Sequence, residues 1–126
     1  VDFYVSATVS AYNAWHITDF HRNWVEQGFI QPGDWYVNVL LNNPRFRMSV
    51  LPQGLKDEIK AKWKAHLRWL EPLDHIGRAT EGYYSAMKFL DDDHTHLLDE
   101  FKRFNVEFDK LREENFDDVY PELVGI

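Results

Sequence analysis

A chain of 126 residues, 44% apolar and 16% aromatic, is long enough for one domain with its own core, and its net charge of −7 argues against a phosphate-backbone partner. The absence of cysteine excludes disulfides, thiolate zinc sites, iron–sulfur ligation by these residues and a cysteine nucleophile. No apolar window approaches about 18 residues and no basic stretch leads into an apolar one, so neither a membrane span nor a secretory signal is visible and a cytoplasmic location is expected.

In chain order, Phe3, Val5, Ala7 and Val9 alternate with Tyr4, Ser6, Thr8 and Ser10, which predicts a strand with one apolar face and one hydroxyl-rich face. From Asn13 the period becomes helical through Ile17, Phe20 and Trp24, with Asn13 as N-cap and Gly28 as the left-handed stop. After the turn at Gln31 to Asp34, "WYVNVLLN" predicts a second strand. Trp35, Val37, Val39 and Leu41 fall on one side, and Tyr36, Asn38, Leu40 and Asn42 on the other. Strand, helix, strand is a βαβ unit, whose strands pair in parallel and whose faces need cover.

Three amphipathic helices are predicted next. Leu55, Ile59, Trp63, His66 and Leu70 form a stripe behind Pro52. Ile76, Thr80, Tyr83, Met87 and Leu90 form a second after Asp74, and Leu97, Phe101, Phe104, Phe108 and Leu111 a third. The fold class is therefore α/β: one βαβ unit over residues 1–52, and a helical region over 53–126 packed on it as one compact domain. The run Asp91 to Asp93 divides the last two stripes and places acids at the start of the final helix.

Charge is unevenly distributed: residues 45–68 hold seven Lys/Arg against Asp57 and Glu58, and residues 91–122 hold twelve acids against four bases. Lys56, Lys60, Lys64 and Arg68 make a basic ridge that is expected to face solvent or to pair with Glu100, Glu107 and Glu114. "DDDHTH" from Asp91 to His96 lacks a third ligand at a recognisable spacing and reads as a helix-start cap, not a metal site. His16 and His21 have no HExxH arrangement and read as surface or half-buried residues, and His66 as a core residue with one hydrogen-bond partner. No phosphate loop, nucleophile elbow or paired carboxylate site stands out, so composition and spacing alone name no function.

The segments "TVSAYNAWHITDFHRNWVEQG", "WYVNVLLNNPRFRMSVLPQGLKDEI" and "FDKLREENFDDVYPEL" together resemble the C-terminal half of radical S-adenosylmethionine proteins with twitch or SPASM-like tails, including those of phages and marine bacteria. The resemblance spans most of the chain. It implies that the βαβ unit is the later part of a partial (β/α)6 barrel. Ser10 and Asn13 would lie at the barrel rim near substrate or cosubstrate, with Asn38 and Asn42 facing the same cavity. The CxxxCxxC motif that holds the family's [4Fe–4S] cluster is missing, as are auxiliary-cluster cysteines.

On this reading the chain holds no cofactor and no catalytic or metal-binding residue. S-adenosylmethionine and [4Fe–4S] are implied only for a longer parent that acts on a peptide or small molecule. The chain would be a non-catalytic fragment that opens in mid-sheet, contributes substrate-site walls and barrel-covering helices, and self-associates through its exposed strand edge. No nucleic-acid or membrane partner is expected. The alternative is a complete small α/β protein-interaction module, with the basic ridge or the acidic last helix as its docking surface.

Overall fold

Two short strands, β1 (Val5–Val9) and β2 (Trp35–Val39), pair in parallel in a computed structural model that describes residues 4–112 and 120–123. Val5 lies opposite Trp35 and Val9 opposite Val39, with the ladder closed at its ends by Val5 N–H donating to the Asp34 carbonyl and Leu40 N–H to that of Val9. Period-two alternation sorts the side chains. Val9 and Trp35 are buried and Val5, Ala7, Val37 and Val39 pack on the core, whereas Ser6, Thr8 and Asn38 are exposed. The mixed α/β class with helices dominant agrees with the sequence.

The crossover helix α1 (Ile17–Glu26) begins later than the sequence suggests. Asn13 does not cap it: residues 11–16 form a turn in which the Asn13 carbonyl accepts the amides of His16 and Ile17, and its side chain points back at the strand. The stop is as expected. Gly28 has φ +80°, the Gly28 amide donates to the Val25 carbonyl and the Phe29 amide to that of Trp24, the paired bonds of a Schellman motif. The buried stripe also differs from the expected one. Ile17, Thr18 and His21 face the core while Phe20 and Trp24 are left largely outside, because the longer turn rotates the helix relative to the count from Asn13.

Beyond β2, two 3-10 turns (Pro44–Phe46 and Met48–Val50) lead to α2 (Gln53–Leu70), which supplies the centre of the core. Ile59, Trp63, Leu67 and Leu70 are buried along it, and the Trp63 indole Nε1 donates to the Ala14 carbonyl at 2.9 Å. That bond satisfies the one polar atom of a large buried ring and ties α2 to the strand-exit turn. Next, α3 (Arg78–Met87) buries Ala79, Tyr83 and Ala86, and Leu90 in the turn that follows. The expected Ile76 of that stripe is 80% exposed, since the helix starts only after Gly77, itself at φ +82°. α3 lies against β2, and Gly82 allows the approach: a Cβ there would sit 3.4 Å from the backbone nitrogen and Cβ of Val37.

The last helix, α4 (Leu98–Arg112), buries Phe101; the side chains of Phe108 and Leu111, and residue Glu114, lie outside the described residues. A 3-10 turn (Thr95–Leu97) runs directly into α4, and at its start Asp93 accepts the amide and hydroxyl of Thr95, the helix-start cap that the sequence suggests, while the Asp92 carbonyl accepts the ammonium of Lys56 at 2.8 Å. Lys60 pairs with Asp91. The basic ridge is thus divided: its first two members hold the Asp91 to Asp93 segment, not α4, and Lys56 is 1% exposed.

Burial pushes the Lys56 ammonium below its ordinary pKa, against the pull of Asp93 and Asp92. Losing the desolvation cost of that charge and losing its bond act in opposite directions. Lys56→Met is therefore expected to change global stability by less than about 1 kcal/mol in urea denaturation. Exchange of the His94 amide, now bonded to the Ser49 carbonyl, should accelerate as the segment loosens. A loss above about 2 kcal/mol would mean that the amine is a main support of the core.

Candidate functional site

The residues singled out in the sequence gather at the carboxyl ends of the two strands, where α/β sheets place ligands. Of the four, Ser10 and Asn13 come together. Ser10 N–H donates to Asn13 Oδ1 at 2.7 Å, Asn13 Nδ2 donates to the Thr8 carbonyl at 2.8 Å, and Tyr12 N–H to Ser10 Oγ at 3.2 Å. Ser10 and Asn13 therefore hold the strand-exit turn with their side chains, fixing how the chain leaves the sheet. Across the ladder, Asn38 Nδ2 donates to Ser6 Oγ at 2.6 Å on the exposed face. Asn42 is separated from this group: β2 ends at Val39, and Leu41 and Asn42 follow as exposed loop, so the strand periodicity that aligned them with the sheet no longer applies.

The same face carries a second cluster toward the amino ends of the strands. The Tyr4 and Tyr36 rings meet edge to face with centroids 5.0 Å apart, and the Arg78 guanidinium lies 4.4 Å from the centre of the Tyr36 ring. Arg78 Nη1 donates to the Tyr36 hydroxyl and Nη2 to the Gly33 carbonyl, both at 3.0 Å, with Asp34 3.7 Å away. Strand alternation had placed the two tyrosines on the polar face. Nothing in the sequence pointed to Arg78, which reaches them from the first residue of α3. The face offers hydroxyls, an amide, two phenols and one guanidinium, a surface able to bind a polar ligand by hydrogen bonds and stacking.

Behind the apolar face lies a buried polar knot. The imidazole of His21 is fully buried, against the expectation of a surface or half-buried residue. Its ring stacks on Trp35 with centroids 4.6 Å apart and planes within 3°. Nε2 lies 2.9 Å from the Pro32 carbonyl, which can only accept, so Nε2 carries the proton and Nδ1 is the acceptor. Two donors meet that Nδ1: the Tyr83 hydroxyl at 2.9 Å and His66 Nε2 at 3.0 Å. His66 is the buried core residue with one hydrogen-bond partner that the sequence suggested.

Burial pushes His21 down to about 4, with the Pro32 carbonyl and the Asp74 carboxylate opposing. Burial also pushes His66 down to about 3, aided by His21 and Arg22 and opposed by Asp19. The Tyr83 phenol is driven well above its ordinary value by burial. At neutral pH the three rings are uncharged, and they join α1, α2, α3 and the turn before β2. The knot is a structural joint, since no substrate can reach His21.

Among the described residues no three His, Asp or Glu side chains converge in a way that would hold a metal ion, and no helix is long and apolar enough to cross a membrane. Comparisons with protein-family models, with curated proteins and with solved structures find no match to the chain.

Proposed function

We propose that this chain forms part of the substrate-site wall and the outer helical cover of a radical S-adenosylmethionine enzyme whose cluster-bearing strands lie in residues beyond these 126. The observation that carries the reading is a parallel strand pair covered by helices on one face only. Parallel sheets are stable when both faces are covered, yet here the second face is polar and open, bearing Ser6, Thr8, Asn38 and Tyr36. Such a face suits a barrel whose interior is wide enough to hold a ligand, where inward-facing strand residues meet it.

The outer edge of β1 supports the same reading. In the parallel register Val5, Ala7 and Val9 bond to β2, which turns the amides and carbonyls of Ser6 and Thr8 outward. Among the described residues no backbone group pairs with them, and only the Thr8 carbonyl is met, by Asn13. A further strand added at β1 would satisfy this edge. Without cysteine the [4Fe–4S] cluster does not fit this chain, so no reaction step is assigned to its residues. Their part is to shape, orient and hydrogen-bond what the barrel encloses.

The test is anaerobic reconstitution of a protein that joins this chain to the cluster-bearing sequence of its own gene, followed by an assay for 5′-deoxyadenosine and substrate modification. Cleavage is expected from the joined protein and none from the 126 residues alone. In the joined protein, Asn38→Leu is expected to lower turnover about tenfold or more while leaving the thermal midpoint within about 2 °C, because Asn38 is exposed and its bond to Ser6 is a surface one. Equal turnover of that variant would remove the strand face from the site. Expressed alone, the chain is expected to self-associate through β1 with a second copy in place of the further strand, and a monomer in sedimentation at micromolar concentration would remove the open edge from the reading.

A further inference from the structure

A second place able to bind a ligand lies in the helical layer, away from the polar strand face. The first turn of α1 and the middle of α2 enclose a cleft of about 190 Å³, lined by Thr18, Asp19, Arg22, Lys62, Ala65 and His66. Two of these are buried side chains: Thr18 is 2% exposed and His66 is 6% exposed. Thr18 Oγ1 is buried without a hydrogen-bond partner, an arrangement that costs about 1–3 kcal/mol unless something relieves it.

Two cations border the same space. The Lys62 ammonium donates to Asp19 Oδ2 at 2.6 Å and to the Trp15 carbonyl at 2.7 Å. Arg22 uses Nε for Glu26 at 2.9 Å, while its two terminal nitrogens make no hydrogen bond to the described residues. With His66 uncharged, the lining itself carries Arg22 and Lys62 against the carboxylate of Asp19, beside the positive end of the α1 dipole; Glu26 pairs with the outer side of Arg22, and the two cations lie over the Trp69 and Trp15 rings at 5.1 and 4.6 Å.

We infer that this cleft binds a phosphoryl group, as free phosphate or a small phosphate monoester, between the Arg22 guanidinium, the Lys62 ammonium and the Thr18 hydroxyl. A phosphoryl group has enough acceptor oxygens to serve all three donors at once, and a planar guanidinium matches two of them. The volume accommodates that group with a short attached chain. The Asp19 carboxylate is the opposing element: it holds Lys62 in the empty cleft and repels a dianion, so it sets the affinity as a competitor and not as a ligand.

The experiment titrates the chain at pH 7.5 with inorganic phosphate and, separately, methyl phosphate, following the imidazole resonances of His66 by NMR. Saturable shifts in the millimolar range are expected for one or both; saturation by methyl phosphate alone assigns a monoester, and by inorganic phosphate alone the free ion. Thr18→Val, which keeps shape and removes the unpartnered hydroxyl, is expected to fold at least as well and to bind about fivefold more weakly. Arg22→Gln is expected to weaken binding about tenfold or more. Asp19→Asn is expected to tighten it about threefold. The inference is overturned if no His66 shift saturates below about 50 mM, an affinity under about 2 kcal/mol. It is also overturned if a folded Thr18→Val variant binds as well as the parent, or if Asp19→Asn weakens binding, the sign of a cation site.

Discussion

Lowering the pH from 7 to 5 is expected to remove on the order of 4 kcal/mol of stability from this chain, well before most carboxylates titrate. The cause is the buried imidazole pair. In the unfolded chain both histidines take up a proton near their ordinary value of 6.5, whereas in the fold His21 is held down to about 4 and His66 to about 3. Both folded values are depressed. Below about pH 6.5 the unfolded state therefore binds more protons than the folded state, and stability falls as the pH falls, until the folded-state values are reached. The full contribution is present above pH 6.5.

The loss is a large fraction of the stability of a domain this size. It is read as the urea midpoint at half-unit pH steps between 7 and 5. The parent is expected to lose stability with a slope that rises from about half a proton at pH 7 toward two near pH 5, and His66→Leu, which removes one of the two buried imidazoles, with about half that slope throughout. A midpoint that stays flat over this range in the parent would show that the pair accepts a proton in place and is not sealed in its neutral state.

The second large effect is expected at Asp74, which is 5% exposed and begins the approach to α3. Its Oδ2 accepts the Thr80 amide at 2.8 Å and the Thr80 hydroxyl at 2.9 Å, and its Oδ1 accepts the Gly77 amide at 3.1 Å. These amides belong to the start of a helix, where no intrahelical partner exists. The carboxylate is also closely enclosed, since a Cβ on Gly33 would come within 2.8 Å of Asp74 Oδ1. Asp74→Ala is expected to destabilise the chain by about 2–4 kcal/mol, measured by thermal or urea unfolding.

A readout specific to this role is the environment of Arg78, which α3 delivers to the Tyr4–Tyr36 pair. Loosening the start of α3 should weaken that stacking and raise the solvent accessibility of Tyr36, whose hydroxyl is bonded to Arg78 Nη1. Gly33→Ala is expected to act in the same direction by displacing the carboxylate. Asp74→Asn, which keeps one acceptor oxygen, should recover part of the loss. If Asp74→Ala leaves the unfolding midpoint unchanged, the start of α3 is held by its packing on β2 alone.

The first effect could not be inferred from local pattern, whereas the contacts of Asp74 reach only three and six residues along the chain. His21 stood in the sequence as one of two histidines flanking a helix, and the stripe Ile17, Phe20, Trp24 directed attention away from it. Only the longer turn over residues 11–16, which Asn13 holds by bonding to the strand instead of capping the helix, rotates His21 inward. Its partners come from residues 45 and 62 positions away, a separation beyond the reach of helical or strand periodicity. Arg78 likewise acquires its role through the placement of α3 on β2. Lys56 and Lys60 looked like part of an exposed ridge because four-residue spacing reports a shared face and not what covers it.

What the sequence by itself determined is the order of elements and the two faces of the strands, because alternation of size and polarity acts within a few residues and is imposed by backbone geometry. It also determined the stop at Gly28, where a left-handed φ favours glycine. The tertiary structure decided where β2 ends and so that Asn42 falls in the exposed loop beyond the sheet, and that Ser10 pairs with Asn13 while Asn38 pairs with Ser6. It decided, too, which histidine is sealed, which charges meet, and that a cleft forms between α1 and α2. Those outcomes depend on contacts between segments far apart in the chain, whose free energies arise only when the core closes.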